Sequence, residues 1–439
     1  MVAKICHSKY NSLSIVEIAE NHMSQVDQKQ AEPVSPSASK GQLKLILLVL
    51  MVDLLGFTLV VPLLPRYADL AGFSPTRIGM LMSAYPFCQL FAGPILGRLS
   101  DRFGRKPILL ASQIGTMISF LILAITKQFE LMLLARMLDG ASGGNILVVQ
   151  AYVADVTQPK DRARSFGLIG MIFGLGFIMG PIMGGILTEI DLGPNGLRVP
   201  FLAAAMFSMT AGMIVALKLP ESRPPGSNMG TQARVVGLEG VRKVLHDPCL
   251  GMLVLASALL IMGWSSLEGT FSLYLKRRMS FSSAQASLGF AFLGFVGAFA
   301  QGFLIRRLVK RFGEKRLIKV GMMALIVGFL CLSQVDMVAL LLPSLVIVGL
   351  GQGMSNPSLT GLISRTAPSH IQGAVFGTLT SAQTMGRMIN YFWANQLLGK
   401  FGEAAPFYSG ALILVVALIA VRIGINRMGD ELDESPRGA

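Results

Sequence analysis

Charged residues are scarce in this chain of 439 residues, and histidine and tryptophan are scarcer still. Asp, Glu, Lys and Arg make up 14% of the sequence, with four His and two Trp, whereas hydrophobic residues make up 52%. The mean hydropathy is +0.61. A typical soluble domain carries about 25% charged residues. The composition therefore excludes an ordinary soluble domain and favours a membrane protein.

Cysteine is also sparse, and its four positions form no C-x-x-C pair (Cys6, Cys88, Cys249 and Cys331). Three of them lie in or beside apolar runs, where Cys usually behaves as a small hydrophobe. We therefore expect neither a metal site nor a disulfide framework. The four His fall outside the apolar runs, so histidine is not expected to carry protons through the membrane.

No nucleotide-binding P-loop and no hydrolase motif in a soluble context occurs in the sequence. We expect neither an enzyme nor an ATP-driven pump, and no cofactor. Residues 1–42 are polar and lack the apolar core of a signal peptide. Their composition predicts a disordered tail.

Twelve apolar segments follow this tail, and each is close to or longer than the roughly 20 residues that a helix needs to cross a bilayer. Their approximate bounds are 43–65, 75–97, 107–126, 129–150, 165–189, 199–219, 250–275, 284–306, 316–334, 337–359, 371–399 and 405–427. The long polar linker 220–248 divides them into two sets of six, 43–219 and 249–427, and residues 428–439 form a second tail. The fold class expected is an all-α membrane protein.

The net charge of +14 is carried by short loops between the apolar segments rather than by one soluble surface. This distribution predicts contact with a lipid bilayer and no binding of nucleic acid. Basic residues on the loops of the N-terminal side outnumber those on the other side by about three to one. We therefore expect both termini in the cytoplasm, with the identity of the membrane left open.

The two halves share an internal repeat. Arg102-Phe103-Gly104 recurs as Arg311-Phe312-Gly313, and the same offset relates Gly140 to Gly349 and Gly144 to Gly353. Two charges are not repeated, because Asp101 corresponds to Lys310 and Arg136 to Leu345. Parallel repeats of this kind pack around an axis along the membrane normal with a binding site between them. The charge asymmetry points to function in the first half.

The connection between the second and third segments combines a dense cluster of charges with two spaced glycines. The glycines suit a sharp turn, and Pro107 suits the first position of the next helix. Six residues match a signature, G-x-x-x-D-R-x-G-R-K/R, in this connection: Gly97, Asp101, Arg102, Gly104, Arg105 and Lys106. The connection thus resembles the loop 2–3 signature of the major facilitator superfamily.

This resemblance implies a specific architecture. It implies twelve transmembrane helices in two six-helix bundles, which rock around a cavity lined by segments 1, 4, 7 and 10. The loop would latch the cytoplasmic side, with Asp101 and Arg102 contacting the ends of neighbouring helices in the outward-open state. The protein is expected to function as a monomer.

Charged residues within the apolar segments are the candidates for proton coupling. Asp53 lies about ten residues into the first segment, where a carboxylate costs roughly 2.5–3.5 kcal/mol on insertion scales and needs a wet cavity or a partner. The fourth segment carries Arg136, Gly140 and Gly144 on one face. That pattern resembles the superfamily's R-x-x-x-G-x-x-x-G signature, which implies that Arg136 takes part in proton transfer. Asp53 is its preferred partner, although Asp139 could pair with it at i,i+3 instead.

The fifth segment contains the sequence GFIMGPIMGG. Its residues Gly176, Gly180, Pro181, Gly184 and Gly185 resemble the antiporter signature G-x-x-x-G-P-x-x-G-G, typical of drug/proton antiporters. Small residues allow close helix packing, and a proline removes one backbone hydrogen bond and kinks the helix. A packing kink without directional meaning is the alternative interpretation.

Residues 45–190 resemble the tetracycline/proton antiporter branch more closely than the second half does. The first segment has the pattern D-x-x-G-x-x-x-x-x-P-x-x-P, with Asp53, Gly56, Pro62 and Pro65. The second half matches only at the level of the superfamily. The drug handled by that branch is therefore not transferred to this chain.

Polar and amphipathic residues within the segments are candidates to line the substrate cavity. Glu268, in the outer third of the seventh segment, is a second candidate for proton coupling. Arg387 needs an anion, which could be Glu268 or an anionic substrate. The remaining cavity candidates are Gln89, Asn145, Gln150, Trp264, Gln352 and Asn356. Each has a structural alternative, since amides also join membrane helices and Asn356-Pro357 could end a helix.

The sequence thus predicts a secondary transporter that exports a small amphipathic organic compound or drug in exchange for protons. A uniporter or symporter of sugar-like solutes is the first alternative, because Pro220-Glu221-Ser222-Arg223 partly resembles a sugar-porter signature. A transporter-like receptor or scaffold without turnover is the second.

Overall fold

A computed structural model of the protein describes residues 36–158, 161–190, 198–222, 238–368 and 371–434. Within these ranges the chain is helical and forms no strand, which confirms the all-α fold class. The helices of the first half are α1 (Pro36–Val60), α2 (Leu64–Leu70), α3 (Pro75–Phe103), α4 (Arg105–Ile125), α5 (Phe129–Ser142), α6 (Asn145–Val156), α7 (Arg162–Thr188) and α8 (Arg198–Lys218).

Within the described ranges, the second half contains two short helices, Leu238–His246 and Ile305–Phe312, and six long ones. These are α9 (Leu238–His246), α10 (Pro248–Met279), α11 (Ser283–Phe299), α12 (Ile305–Phe312), α13 (Glu314–Ser333), α14 (Val338–Thr366), α15 (Gln372–Phe401) and α16 (Ala405–Glu434). A π-helical segment, Ala300–Leu304, joins α11 to α12 without a break.

Eleven spans in the described ranges are long and apolar enough to cross a membrane. The helix α15, with 30 residues, is long enough as well but less apolar, because it carries Gln383, Arg387, Asn390 and Asn395. The amide groups of Gln383, Asn390 and Asn395 donate to serine hydroxyls or a backbone carbonyl of α10. Helix α15 is thus the twelfth span of the predicted fold, and these amide groups donate to partners inside the protein rather than face lipid.

Three hydrophobic cores organise the packing. One lies within the second half and includes Phe329 and Phe407. Another lies within the first half, around Ile46 and Val153. A third joins residues of both halves, with Tyr391 of α15 packed among residues of α1, α3 and α8. The two bundles therefore have separate cores and share a third where they meet.

The bundles meet at one membrane face and separate at the other. We call the face that bears Gly104 the tail face, and the opposite one the distal face. At the distal face α3 packs on α15, so that a Cβ added to Gly79 would lie 3.1 Å from the Cα atom of Phe392. Toward the tail face, Cβ positions at Gly97 and Gly302 meet no atom of any described residue within 4 Å. The bundles therefore touch at the distal face and leave these two helix surfaces uncovered near the tail face, and we refer to the two faces as closed and open on this basis.

The internal repeat has a structural counterpart at the tail face. Gly104 and Gly313 both adopt a left-handed conformation, with φ of 101° and 75°. Each ends one helix and begins the next without an intervening residue. An L-residue with a side chain is strained in this region, so glycine is required at both turns.

Three expectations about helix boundaries are corrected. Gly97 lies inside α3, which continues to Phe103, so Gly104 alone forms the turn. Helix α4 begins at Arg105, ahead of Pro107, because the left-handed Gly104 lets it start there. Helix α1 begins at Pro36, so residues 36–42 are helical rather than part of a disordered tail. The expectations for residues 1–35, 223–237 and 435–439 lie outside the described residues.

The first and fourth spans are interrupted. The first is broken after Val60, next to Pro62, which cannot donate a backbone hydrogen bond. The fourth is broken at Gly143-Gly144, between α5 and α6. Arg136 and Gly140 therefore share α5, whereas Gly144 lies in the interruption. The corresponding span of the second half, α14, is continuous.

Candidate functional site

A cavity lies between the two bundles, beneath the closed distal face. It is lined by residues of α1, α2, α3, α5 and α15, with the short Val61 link: Phe57, Val60, Val61, Leu64, Met82, Tyr85, Arg136, Arg387 and Tyr391. The sequence predicted that segments 1, 4, 7 and 10 would line the site. For this cavity the prediction is correct for segments 1 and 4 and wrong for segments 7 and 10. Segments 2 and 11 replace 7 and 10, because α3 and α15 are the helices that close the distal face.

Arg136 pairs with an acid on its own helix. Its Nη1 donates to the Oδ2 of Asp139 over 2.6 Å. The guanidinium carbon also lies 4.8 Å from the ring centroid of Tyr85, within the range of a cation–π contact. Arg136 and Asp139 are only 5% and 2% exposed. They form a buried ion pair covered by an aromatic ring.

Asp53 has a different partner. The side-chain amide of Asn145 donates to its Oδ2 over 3.1 Å, and Gln113 lies within reach of the same carboxyl group. The preferred pairing of Arg136 with Asp53 is therefore wrong in this conformation, and the alternative with Asp139 is the one found. The i,i+3 spacing on one helix brings Asp139 to Arg136 without any tertiary movement.

The interruption of the fourth span positions the partner of Asp53. Asn145 is the first residue of α6, directly after Gly143-Gly144. The free carbonyl of Gly143 accepts a hydrogen bond from Gln89 over 3.0 Å, and Gln89 also donates to the hydroxyl of Tyr85 over 3.2 Å. Asp53 thus meets the N-terminal end of α6, where the helix dipole favours a negative charge.

A second acidic centre lies across the cavity in the second bundle. Glu268 is 6% exposed and accepts hydrogen bonds from Trp264 over 2.8 Å and from Tyr391 over 2.9 Å. The Nε of Arg387 lies 3.5 Å from its Oε2. Glu268 therefore supplies the anion that Arg387 was expected to need, although two other donors hold its oxygens more closely.

The signature at the tail face forms a network within the first bundle. Arg105 is buried and lies 2.7 Å from Asp101 and 3.1 Å from Asp155. The carboxylate of Glu221, just after α8, accepts hydrogen bonds from the backbone N–H groups of Arg105 and Lys106 over 2.7 and 3.0 Å. A Cβ on Gly104 would approach that carboxylate to 2.5 Å. Glu221 thus caps the N-terminus of α4, and the turn must be glycine to admit it.

Arg102 and Asp101, the two residues expected to form the latch, have the following contacts with other described residues. Arg102 is exposed and lies over the ring of its neighbour Phe103, with 5.2 Å from the guanidinium carbon to the ring centroid. Asp101 contacts Arg105 of the same loop. The contacts expected of these two residues belong to the outward-open state, so the latch stays a prediction.

The glycines of the fifth span provide two packing faces on α7. Gly176, Gly180 and Gly184 face α1, where Thr58 donates to the carbonyl oxygen of Gly176 over 2.9 Å. Gly185 instead faces Ala284 and Ser287 of α11, in the second bundle. Helix α7 therefore packs on both bundles at once.

Pro181 has a specific consequence for this contact. It removes the N–H that would bond to the carbonyl of Phe177. A Cβ added to Gly294 of α11 would lie 2.5 Å from that carbonyl oxygen. The bare Cα of Gly294 therefore approaches a backbone carbonyl that Pro181 leaves free, a close contact of the kind seen between packed helices.

The remaining cavity candidates lie apart from the lining residues. Gln150 is half-buried on α6, and Gln352 and Asn356 are half-buried on α14. The side-chain oxygens of the latter two accept no hydrogen bond from the described residues. Helix α14 continues through Pro357 to Thr366, so Asn356-Pro357 does not end it.

Two tyrosines of the site were not predicted from the sequence. Tyr85 and Tyr391 connect the arginines, Glu268 and Gln89, yet each is a single tyrosine in an apolar helix. Buried tyrosines commonly bond to backbone carbonyls, as Tyr152 and Tyr274 do here. The sequence around a tyrosine therefore does not distinguish a tyrosine of the site from one that bonds to a backbone carbonyl.

Comparison with known proteins agrees with this geometry. Residues 46–390 match the family model of the Major Facilitator Superfamily. The chain is 31% identical over 398 residues to the class C tetracycline resistance protein of Escherichia coli, covering 88% of this chain and 98% of the relative. It is 27% identical to multidrug resistance protein 1 of Bacillus subtilis (strain 168), covering 86% and 94%.

A solved structure with the same architecture is the human organic anion transporter MFSD10 (TETRAN). It matches with a TM-score of 0.66 and 25% identity, over 87% of this chain and 99% of that one. The family model covers most of the chain and the relatives are transport or resistance proteins, not enzymes. This chain therefore belongs to the Major Facilitator Superfamily and is a multi-pass membrane transporter of small molecules.

Proposed function

We propose that this transporter is a proton-coupled antiporter that exports a small amphipathic organic compound, as a monomer with both termini in the cytoplasm. Its similarity to tetracycline and multidrug resistance proteins supports the direction of transport. The antiporter-type glycines and Pro181 of α7 support it as well. With that topology the open tail face is cytoplasmic, and the cavity collects its substrate from inside the cell.

The position of Asp53 carries the proposal. This carboxyl group is half-buried in α1, and the amide of Asn145 holds it instead of a cation. An amide can donate to a carboxylate or accept from a protonated carboxyl group. Asp53 can therefore gain or lose a proton without breaking an ion pair.

Arg136 and Asp139 have a different role in this mechanism. Their separation of 2.6 Å and nearly complete burial favour a permanent pair. We infer that this pair fixes Tyr85 and, through it, Gln89 at the interruption between α5 and α6. Asp53 then exchanges its proton beside a pre-arranged helix end, and Glu268 is the second acid available to do so.

The test is flux driven by a proton gradient in proteoliposomes. Uptake of tetracycline, amphipathic cations, amphipathic anions and sugars is measured with the tail face outward and the lumen acidic. We expect the gradient to drive uptake that is lost in Asp53→Asn and retained in Asp336→Asn, which makes the same change at an exposed loop aspartate. Flux that ignores the gradient and survives Asp53→Asn would indicate a uniporter, and no flux of any compound would indicate a receptor or scaffold.

A further inference from the structure

We propose that the substrate is an amphipathic organic anion, whose negatively charged head group binds Arg387 in the cavity between the bundles. This inference rests on the proposed function in one respect, since it takes the cavity to be the part of the transport site that receives the head group. In this conformation the cavity has room for about one water molecule, so it must widen when the ligand enters. The inference adds the charge of the substrate and the residue that recognises it.

The cavity wall carries positive charge only. Among the described residues that line it, the charged side chains are Arg136 and Arg387, and no carboxylate is among them. Asp139 and Glu268 contact these arginines but are not part of the lining. Because these two acids offset much of the positive charge, an anion can bind only to a guanidinium whose own acid holds it loosely.

The two arginines differ in how firmly their acids hold them. Arg136 makes a hydrogen bond of 2.6 Å to Asp139 and is 5% exposed. The side chain of Arg387 is 33% exposed, and its Nε lies 3.5 Å from Glu268, too far for a hydrogen bond. The Nε atoms of both arginines make no hydrogen bond to any residue in the described part of the chain, so the two differ in the distance to the acid and in exposure. Arg387 is therefore the guanidinium available to an incoming anion.

Glu268 explains why Arg387 is available. Its carboxylate oxygens accept from Trp264 and Tyr391 over 2.8 and 2.9 Å. A planar carboxylate on a ligand could instead face the guanidinium with two parallel hydrogen bonds, the geometry that guanidinium groups favour. Glu268 would keep its two neutral donors, so binding would leave no buried acid unpartnered.

The rest of the wall suits the apolar part of such a ligand. Phe57 and Met82 line the cavity together with the aliphatic side chains of Val60, Val61 and Leu64. Tyr85 and Tyr391 place aromatic rings beside the arginines, with their hydroxyls toward the polar end. A cationic amphiphile would find the same apolar wall but would place its charge against two guanidinium groups, which selects against it.

Trp264 provides a direct reporter of binding. It is one of two tryptophans in the chain, and its indole nitrogen bonds to Glu268 beside Arg387. The other, Trp393, is 49% exposed on α15. In the full-length Trp393→Phe protein, Trp264 is therefore the single source of tryptophan fluorescence.

The experiment titrates this protein with three probes that differ only in the head group: phenylbutyrate, phenylbutanamide and phenylbutylammonium. We expect phenylbutyrate to change the fluorescence saturably and to bind about tenfold or more tightly than the other two, since hydrogen bonds to charged groups are the stronger ones. Arg387→Gln should abolish this preference, whereas Arg422→Gln, which removes an exposed arginine of α16, should retain it. Because the comparison of head groups needs no arginine variant, it remains decisive if Arg387→Gln folds poorly.

The outcomes separate this inference from proton-coupled antiport. Equal binding of the three probes, or a preference for phenylbutylammonium, would overturn the anion site even if protons drive Asp53-dependent export. Phenylbutyrate binding that depends on Arg387 would support the anion site even if no proton gradient moves the probe. In that second case the substrate would be an organic anion, and the proposed coupling to protons would be wrong.

Discussion

At the scale of single residues, the charges near the cavity have unequal partners. Asp139 neutralises Arg136 at 2.6 Å, whereas Asp53 is held by the amide of Asn145. Removing one member of a buried ion pair leaves an uncompensated charge, but a neutral partner tolerates the loss of charge on an acid. The same chemical substitution at the two aspartates should therefore have different consequences for stability.

We expect Asp139→Asn to lower the free energy of unfolding by roughly 3 to 5 kcal/mol, the cost of breaking a buried pair. Asp53→Asn should cost about 1 kcal/mol or less, because an amide at this position can still bond to Asn145. Thermal unfolding of the two purified variants in one detergent checks this order. Equal losses would mean that Asp53 also carries part of the charge on Arg136.

The sequence predicted which charges lie near the middle of the membrane, but not how they pair. Arg136 and Asp53 stand out because charges within apolar segments are costly. The choice between Asp139 and Asp53 depends on the break at Gly143-Gly144, which turns Asn145 toward α1. A glycine pair within a helical pattern predicts that the helix can break there, but it does not predict the direction in which the next helix continues. Tyr391 could not be found, because its role depends on Glu268 of another helix, α10.

At the scale of elements, helix α7 is packed too closely on α1 to accept larger side chains on one face. A Cβ added to Gly180 would lie 2.8 Å from the Cβ atom of Thr58 and 2.9 Å from the backbone nitrogen of Leu59. Backbone cannot move aside as a flexible side chain can. Gly170, on the same helix, meets nothing within 4 Å among the described residues.

We therefore expect Gly180→Ala to destabilise the protein by about 1 to 3 kcal/mol through overpacking. Gly170→Ala, the matched control, should be neutral or slightly stabilising, since alanine favours a helix by about 1 kcal/mol over glycine. Thermal unfolding and the yield of folded protein measure both effects. If Gly170→Ala lost as much stability as Gly180→Ala, the surface of α7 around Gly170 would have to be packed against another helix in a different conformation.

The sequence predicted the number of spans well and the details of their ends poorly. Apolar length is a direct consequence of bilayer thickness, so the twelve segments were recognisable. The sequence predicted a turn near Gly104, but it did not predict that this one residue forms the whole turn. The turn can be this short because Glu221, more than a hundred residues away, caps the N-terminus of α4. The π-helical segment Ala300–Leu304 has no sequence signal that we recognise.

At the scale of the whole molecule, a charged contact crosses between the bundles at the closed distal face. Asp69, at the end of α2, lies 2.6 Å from Lys276 and 3.9 Å from Arg277 of α10. These residues separate if the distal face opens, so the contact favours the tail-open state. The side chains of Lys276 and Asp69 are 34% and 17% exposed. Screening by solvent therefore keeps the contribution small.

We expect Asp69→Asn to shift the population of tail-open molecules by roughly two- to fivefold, the effect of a partly exposed ion pair. Spin labels at Phe103 and Phe312, exposed positions at the ends of α3 and α12, report the separation of the bundles at the tail face. Glu314→Gln is the control, because it breaks the Arg365 pair within one bundle. An unchanged distance distribution in Asp69→Asn would show that apolar packing alone closes the distal face.

The charge moved in each transport cycle connects the proton site with the proposed anion site. If one proton enters while one monovalent anion leaves, two positive charges move inward. Each charge contributes about 2.3 kcal/mol per 100 mV of membrane potential, so the two together contribute about 4.6 kcal/mol. A neutral substrate would move one charge, and a monovalent cation exchanged for one proton would move none.

A lumen-positive potential should therefore drive uptake of phenylbutyrate into vesicles with the tail face outward, even without a pH gradient. We expect a weaker effect for phenylbutanamide and none for phenylbutylammonium. Protein-free vesicles and Asp53→Asn vesicles correct for leakage through the lipid and for uncoupled flux. Uptake of phenylbutyrate that ignores the potential would require a compensating charge, and it would exclude the exchange of one proton for one anion.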